Sequence, residues 1–163
     1  VVATRTISLV ILTLFLTVII SINCAYAYDY ELSEALDYGY IKAEIYGTGD
    51  YYGSGTIYVY LENTRDYTIT VIIPQGQFLV PDDEKYQTMV VAKTYEITLK
   101  PEDSESLYIA AFCAEIDDDV PTPYTTFDVG SKASYDLMSV LKTIEKKGLI
   151  NDIEAQLAVW TVT

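Results

Sequence analysis

The chain has 163 residues, with 24 Asp or Glu against 10 Lys or Arg, no His, and a formal charge of −14. That length is enough for one domain with a real core. The charge argues against nucleic acid and against electrostatic binding to anionic membranes, which both need basic patches, and the missing His removes Ser-His and Cys-His catalysis within the chain and the commonest zinc ligand.

The N-terminus reads as an export signal over residues 1–27. Arg5 supplies the positive start, Ile7 to Ile20 is an apolar run, and Ala25-Tyr26-Ala27 is a small-x-small cleavage site. The run is short for a membrane span of about 20 residues. Its rival is a retained N-terminal helix, as in a pilin subunit. Cleavage removes Cys24 and Arg5 and leaves the mature chain more acidic still. Secretion or cell-surface exposure is the expected location.

Residues 28–38 form an acidic, aromatic N-terminal arm with Leu32, Ala35 and Leu36 as apolar members, open to being an edge strand, one helical turn or a flexible arm. Residues 39–47 alternate Ile41, Ala43 and Ile45, the pattern of a half-buried strand. A Gly-rich stretch, 47–55, closes a hairpin. Residues 56–62 then place Ile57, Val59 and Leu61 on one face and Tyr58 and Tyr60 on the other. Further strands are expected over 67–73, 78–80, 87–92, 95–99 and 107–113. About seven short strands at this spacing predict an Ig-like antiparallel β-sandwich over 39–116.

Residues 117–130 read as an extended connector, stiffened by Pro121 and Pro123. A helical hairpin is expected over 131–163. Its first helix starts near Ser131 or Ser134 and carries a stripe of Leu137, Val140, Leu141 and Ile144. It ends at Lys147, with Gly148 beyond it as a stop residue. The second helix reads as capped by Asn151 with Glu154 as capping-box partner. Its spacing predicts an apolar face of Ile153, Leu157 and Trp160, with the Gln156 amide at the edge.

Cys113 is the one cysteine outside the N-terminal segment. In an oxidising compartment a lone thiol is buried and inert, paired between chains, or chemically committed. A bond to Cys24 requires a retained N-terminus. Two short stretches bear on this: Phe112-Cys113-Ala114-Glu115 and Gln156-Leu157-Ala158-Val159-Trp160. They resemble the aromatic-Cys-x-acidic and Gln-x-Ala-Ile-Trp motifs of the thioester domains of Gram-positive surface adhesins, with Val in place of Ile. The resemblance implies that the Gln156 side chain acylates Cys113 with loss of ammonia. The product is a buried thioester that can capture an amine on a target surface. In that family Cys and Gln lie much further apart in sequence than the 43 positions here. The bland alternative makes Cys113 a small core residue, Gln156 a strand-end hydrogen-bonder and Trp160 core filling.

The acidic run Asp117, Asp118, Asp119 is a weak Ca²⁺ candidate, because it lacks EF-hand spacing and reads first as a solvated loop. No cofactor is expected. The 16 tyrosines suit strands, and exposed ladders of them suit glycans or neighbouring subunits. The sequence therefore predicts a non-enzymatic extracellular binding or adhesion module whose partner is a cell-surface protein, a glycan or another copy. A filament or pilus subunit, built by a donor strand or a retained N-terminal helix, is the alternative. A small extracellular hydrolase comes third.

Overall fold

A computed structural model describes residues 27–163. The expected export signal and Cys24 lie outside the described residues. The fold is mainly β, with two sheets and a C-terminal pair of helices. The strands are β1 (Tyr28–Glu31), β2 (Ile41–Gly47), β3 (Tyr52–Asn63), β4 (Ile69–Ile73), β5 (Gln77–Pro81), β6 (Met89–Val91), β7 (Tyr95–Leu99), β8 (Ser104–Cys113) and β9 (Phe127–Lys132). The helices are α1 (Leu32–Asp37), α2 (Tyr135–Lys147) and α3 (Ile153–Trp160).

One sheet has the order β1-β4-β7 and the other β2-β3-β8-β6-β5-β9. The predicted alternation survives in β2 and β3, where Ile45 faces Val59 across the ladder and Ile57, Val59 and Leu61 are fully buried. Their aliphatic side meets Ile69, Val71 and Ile73 of β4, forming the core between the sheets. The buried Asn63 ties this core's edge. Its Nδ2 donates to the carbonyls of Tyr67, Leu99 and Lys100 at 2.9, 3.2 and 2.9 Å, and its Oδ1 accepts from Arg65 N at 2.8 Å.

The larger sheet curls until its outer strands nearly meet. Tyr46 and Thr126 form a bridge, and Gly47 N donates to Thr125 O at 3.0 Å. Gly47 permits this approach, because a Cβ there would stand 2.6 Å from Thr122 O.

The helices cover the other face of that sheet. Phe112, Ala110, Val90 and Ala92 pack with Leu137, Leu141, Ile144, Ala155 and Val159. The second half of β8, from Ile109 to Cys113, is thus buried on both sides. Ile109, Ala111 and Cys113 face the inter-sheet core, while Ala110 and Phe112 face the helices.

Several expectations are corrected. The seven strands expected over 39–116 are β2–β8, and β1 and β9 add two strands outside that range. Of the forms open to the arm, it takes an edge strand followed by a short helix rather than a flexible arm: β1 pairs parallel with β4, and Leu32 and Ala35 of α1 are fully buried. The connector is only partly a connector, since residues from Phe127 onward enter β9 and pair antiparallel with β5. Helix α2 follows the sequence closely. The Ser134 hydroxyl accepts from Leu137 N, and Gly148 takes the left-handed conformation at φ 70°.

Helix α3 departs from the sequence reading. Asn151 is not its cap; Asp152 is, without a side-chain bond. The buried face is Ala155, Gln156 and Val159, while Ile153 and Leu157 remain 40% and 50% exposed. The reason is close approach: small residues let α3 sit down on Phe112 and Leu141, and its larger aliphatics turn outward.

Candidate functional site

Strand β3 begins at Tyr52, opposite Phe112. Cys113 is therefore the residue of β8 just past that ladder. Its N–H still donates to Tyr51 O at 3.1 Å, and a side chain shares that N–H and supplies the donor to its carbonyl. Gln156 Oε1 accepts from Cys113 N at 3.0 Å, and Gln156 Nε2 donates to Cys113 O at 2.8 Å. Both residues are completely buried. The two residues singled out from the sequence, 43 positions apart, thus meet in one two-bond clasp.

The clasp is held from both sides. On the helix side, Gly53 sits in a left-handed turn at φ 95°, where the β3–β8 register shifts. Ser54 N then donates to Asn151 Oδ1 at 2.8 Å. Asn151 is thus spent on pinning the entry of α3 to β3. On the strand side, Ala114 N donates to Thr88 O at 2.8 Å and Thr88 N to the Glu115 carboxylate at 2.5 Å. Glu115 fixes the chain just after Cys113.

The Cys113 thiol lies in the inter-sheet core, 3.7 Å from Met89 Sδ. Burial first, and the nearby Glu115 charge second, push the thiol pKa up to about 12. The sulfur is thus a neutral thiol at physiological pH, shielded from oxidants and alkylating agents. Among the described residues it forms no disulfide. Phe112 is buried on the opposite face of β8, under the helices. Trp160 packs from the end of α3 against the core that contains Cys113, and its buried Nε1 has no hydrogen-bond partner.

Asp117, Asp118 and Asp119 lie exposed in the segment after β8. Among the described residues no three His, Cys, Asp or Glu side chains gather as a metal site. The run is held by its backbone, through Gln87 N to Asp119 O at 3.0 Å and Gln87 Nε2 to Asp118 O at 2.8 Å.

Met89, Thr88 and the bond from Ser54 to Asn151 escaped the sequence reading. Met89 carries no local signal, because it meets Cys113 only through strand pairing. Asn151 misled because Asn before a helix is ordinarily a cap.

The tyrosine pattern is partly visible on the outer sheet face. Tyr46, Tyr58 and Tyr108 stand opposite one another across β2, β3 and β8. Their ring centroids are 6.3 and 5.4 Å apart.

Chemically, the clasp places an amide carbonyl against a main-chain donor beside a thiol-bearing residue. Those are the parts that acyl transfer to sulfur requires. Comparison of the chain with protein-family models, with curated proteins and with solved structures finds no match. Among the described residues no helix is long and apolar enough to cross a membrane.

Proposed function

We propose that this is an extracellular, surface-associated binding module in which Cys113 and Gln156 condense to an internal thioester. The observation that carries this reading is the buried two-bond clasp between them. The N–H of Cys113 polarises the Gln156 carbonyl and stabilises charge developing on Oε1 as sulfur attacks. An S–C bond forms, the Gln156 C–N bond breaks, and the thiol proton leaves with the nitrogen as ammonia. Reactants and products are neutral, so burial does not oppose the step as it would an ion pair. The raised thiol pKa and complete burial keep the sulfur unreactive toward solvent species, leaving the Gln156 amide that is hydrogen-bonded to its own main chain as the proposed partner. Capture then runs the exchange forward: the S–C bond breaks, an amide to the incoming amine forms, and sulfur regains a proton. Each molecule acts once, so no turnover enzyme is implied.

The supporting features are consistent with life outside the cell. They are the acidic charge, the export-like N-terminus, a sandwich read here as Ig-like, and a tyrosine row suited to a protein or glycan surface. A second reading keeps the binding module without the chemistry. The Sγ contact with Met89 favours it, with Gln156 serving only as a strand-end rung. The filament reading is weakened in its donor-strand form, because β1 is already paired within its own sheet.

Intact mass of the exported protein separates the two leading readings. The thioester predicts a mass short by one ammonia, no alkylation of Cys113 after rapid unfolding, and a methylamine adduct mapping to Gln156. A full mass with Cys113 alkylated after unfolding leaves the binding module without the bond.

A further inference from the structure

The turn between β3 and β4 presents a guanidinium in a fixed pose. The buried Asn63 holds the main chain on both sides of Arg65: its Oδ1 accepts from Arg65 N at 2.8 Å, and its Nδ2 donates to Tyr67 O at 2.9 Å. Thr64 ties the same turn to the start of β2, through its N–H to Tyr40 O at 3.0 Å and its hydroxyl to Gly39 O at 2.8 Å. The Arg65 side chain lies against two rings, with its guanidinium carbon 5.4 Å from the centroid of Tyr40 and 5.7 Å from that of Tyr67. Two further rings flank that pair: Tyr28 lies 5.3 Å from Tyr67, and Tyr38 lies 5.4 Å from Tyr40. These outer rings are 54% and 62% exposed.

Arg65 is the one Arg among the described residues. The three ion pairs formed there are all made by lysines, so Arg65 has no carboxylate although the chain carries 24 acids. A guanidinium laid on aromatic rings keeps its N–H fork in its own plane, where it matches a carboxylate with two parallel bonds. Arg65 already supplies the cation that the rings favour, which leaves the patch open to an anion. Exposed Asp29, Asp37 and Asp66 stand next in sequence to Tyr28, Tyr38 and Arg65. They repel a polyanion, while a single carboxylate still reaches the fork. The remaining contact is tyrosine surface, apolar across the ring and polar at the hydroxyl, which suits a sugar ring. One guanidinium and two exposed rings fall short of the roughly 800 Å² per side that a standard protein interface buries.

We propose that Arg65 and the tyrosines around it form a reversible binding site for a sugar acid, a glycan residue bearing a single carboxylate. The Arg65 fork takes the carboxylate, and the exposed face of Tyr28 or Tyr38 receives the ring. The site follows the Asn63 end of β3, whereas the clasp lies at the Tyr52 end. It therefore goes beyond the thioester reading and needs neither Cys113 nor Gln156.

Three probes separate the parts of this recognition. Methyl glucuronoside carries ring and carboxylate, methyl glucoside the ring alone, and acetate the carboxylate alone. Each is titrated at low salt into the exported protein and into Cys113→Ala, while NMR follows the amides of residues 64–68. The glucuronoside should saturate at concentrations on the order of millimolar, with the other two at least about tenfold weaker. Arg65→Lys keeps the charge but loses the fork, and should weaken glucuronoside binding about tenfold with the melting temperature unchanged. Tyr28→Ala with Tyr38→Ala, both on exposed side chains, should erase the preference for glucuronoside over acetate. No saturable shift, equal affinity for glucuronoside and acetate, or undiminished binding by Arg65→Lys overturns the site. Tighter binding of a glutamate-bearing peptide than of the glucuronoside assigns the patch to a protein partner and overturns it as well. An unmodified intact mass alongside intact titrations marks the thioester as the part that failed, and matching titrations in wild type and Cys113→Ala support a separate site.

Discussion

Gln156 has one neighbour to satisfy and two ways to do it. As a clasp, its amide completes the main-chain bonding of Cys113 and touches nothing that depends on sulfur. As an acyl donor, it closes a covalent loop of 43 residues, a cross-link that stabilises by about 4 kcal/mol on loop-entropy grounds. The two cases give different double-mutant cycles. Without the bond, Cys113→Ala costs about 1 kcal/mol for a small buried group, and Gln156→Ala about 2–4 kcal/mol, since Cys113 O loses its donor in a dry core. The double variant then comes close to their sum. With the bond, either single change removes the whole cross-link, so the double variant falls short of the sum by about 4 kcal/mol. Calorimetry of the four proteins in amine-free buffer reads this as a difference of about 10 °C in melting temperature. The residues of the site were legible in sequence because a Cys alone outside the N-terminal segment and a Gln one turn before the single Trp stand out there. Their geometry was not, since the Cys113 carbonyl is open to the Gln156 amide only because the paired ladder of β3 begins at Tyr52.

At the scale of elements, local signals served where the cause is local. The Ser134 cap, the stripe of Leu137, Leu141 and Ile144, and the Gly148 stop all sit within α2 and needed no partner to be read. β9 is the opposite case. Its six residues include Gly130 and Ser131, and its pairing comes from β5, some 50 positions earlier. Gly130 belongs there for its size: a Cβ would meet Val80 Cγ2 at 2.7 Å. The face of α3 was misread for a related reason. Eight residues give a weak periodic signal, and the sheet beneath chose the small side chains. The anchor of α3 gives a direct test. A Cβ on Gly53 would lie 2.9 Å from Asn151 Oδ1, on backbone that disfavours any L side chain. Gly53→Ala should cost about 1–3 kcal/mol. Asn151→Ala, which removes only the bond to Ser54, should cost about 1 kcal/mol. Both should raise amide exchange in α3 more than in α2, and equal loss of protection in the two helices would place the anchor elsewhere.

For the whole molecule, charge is the term that local reasoning leaves out. A formal charge of −14 is offset among the described residues by three ion pairs, all solvent-exposed: Lys42 with Glu62, Lys85 with Asp83, and Lys132 with Glu31. Each such pair contributes at most about 1 kcal/mol, and salt weakens it. Self-repulsion among the remaining carboxylates acts over the entire surface and is screened by the same salt, with a Debye length of about 10 Å at 0.1 M. Repulsion has more partners than attraction here, so the folded state should gain from salt. The melting temperature should rise by a few degrees between about 0.02 and 0.5 M NaCl. A fall would mean that the three pairs outweigh the net charge.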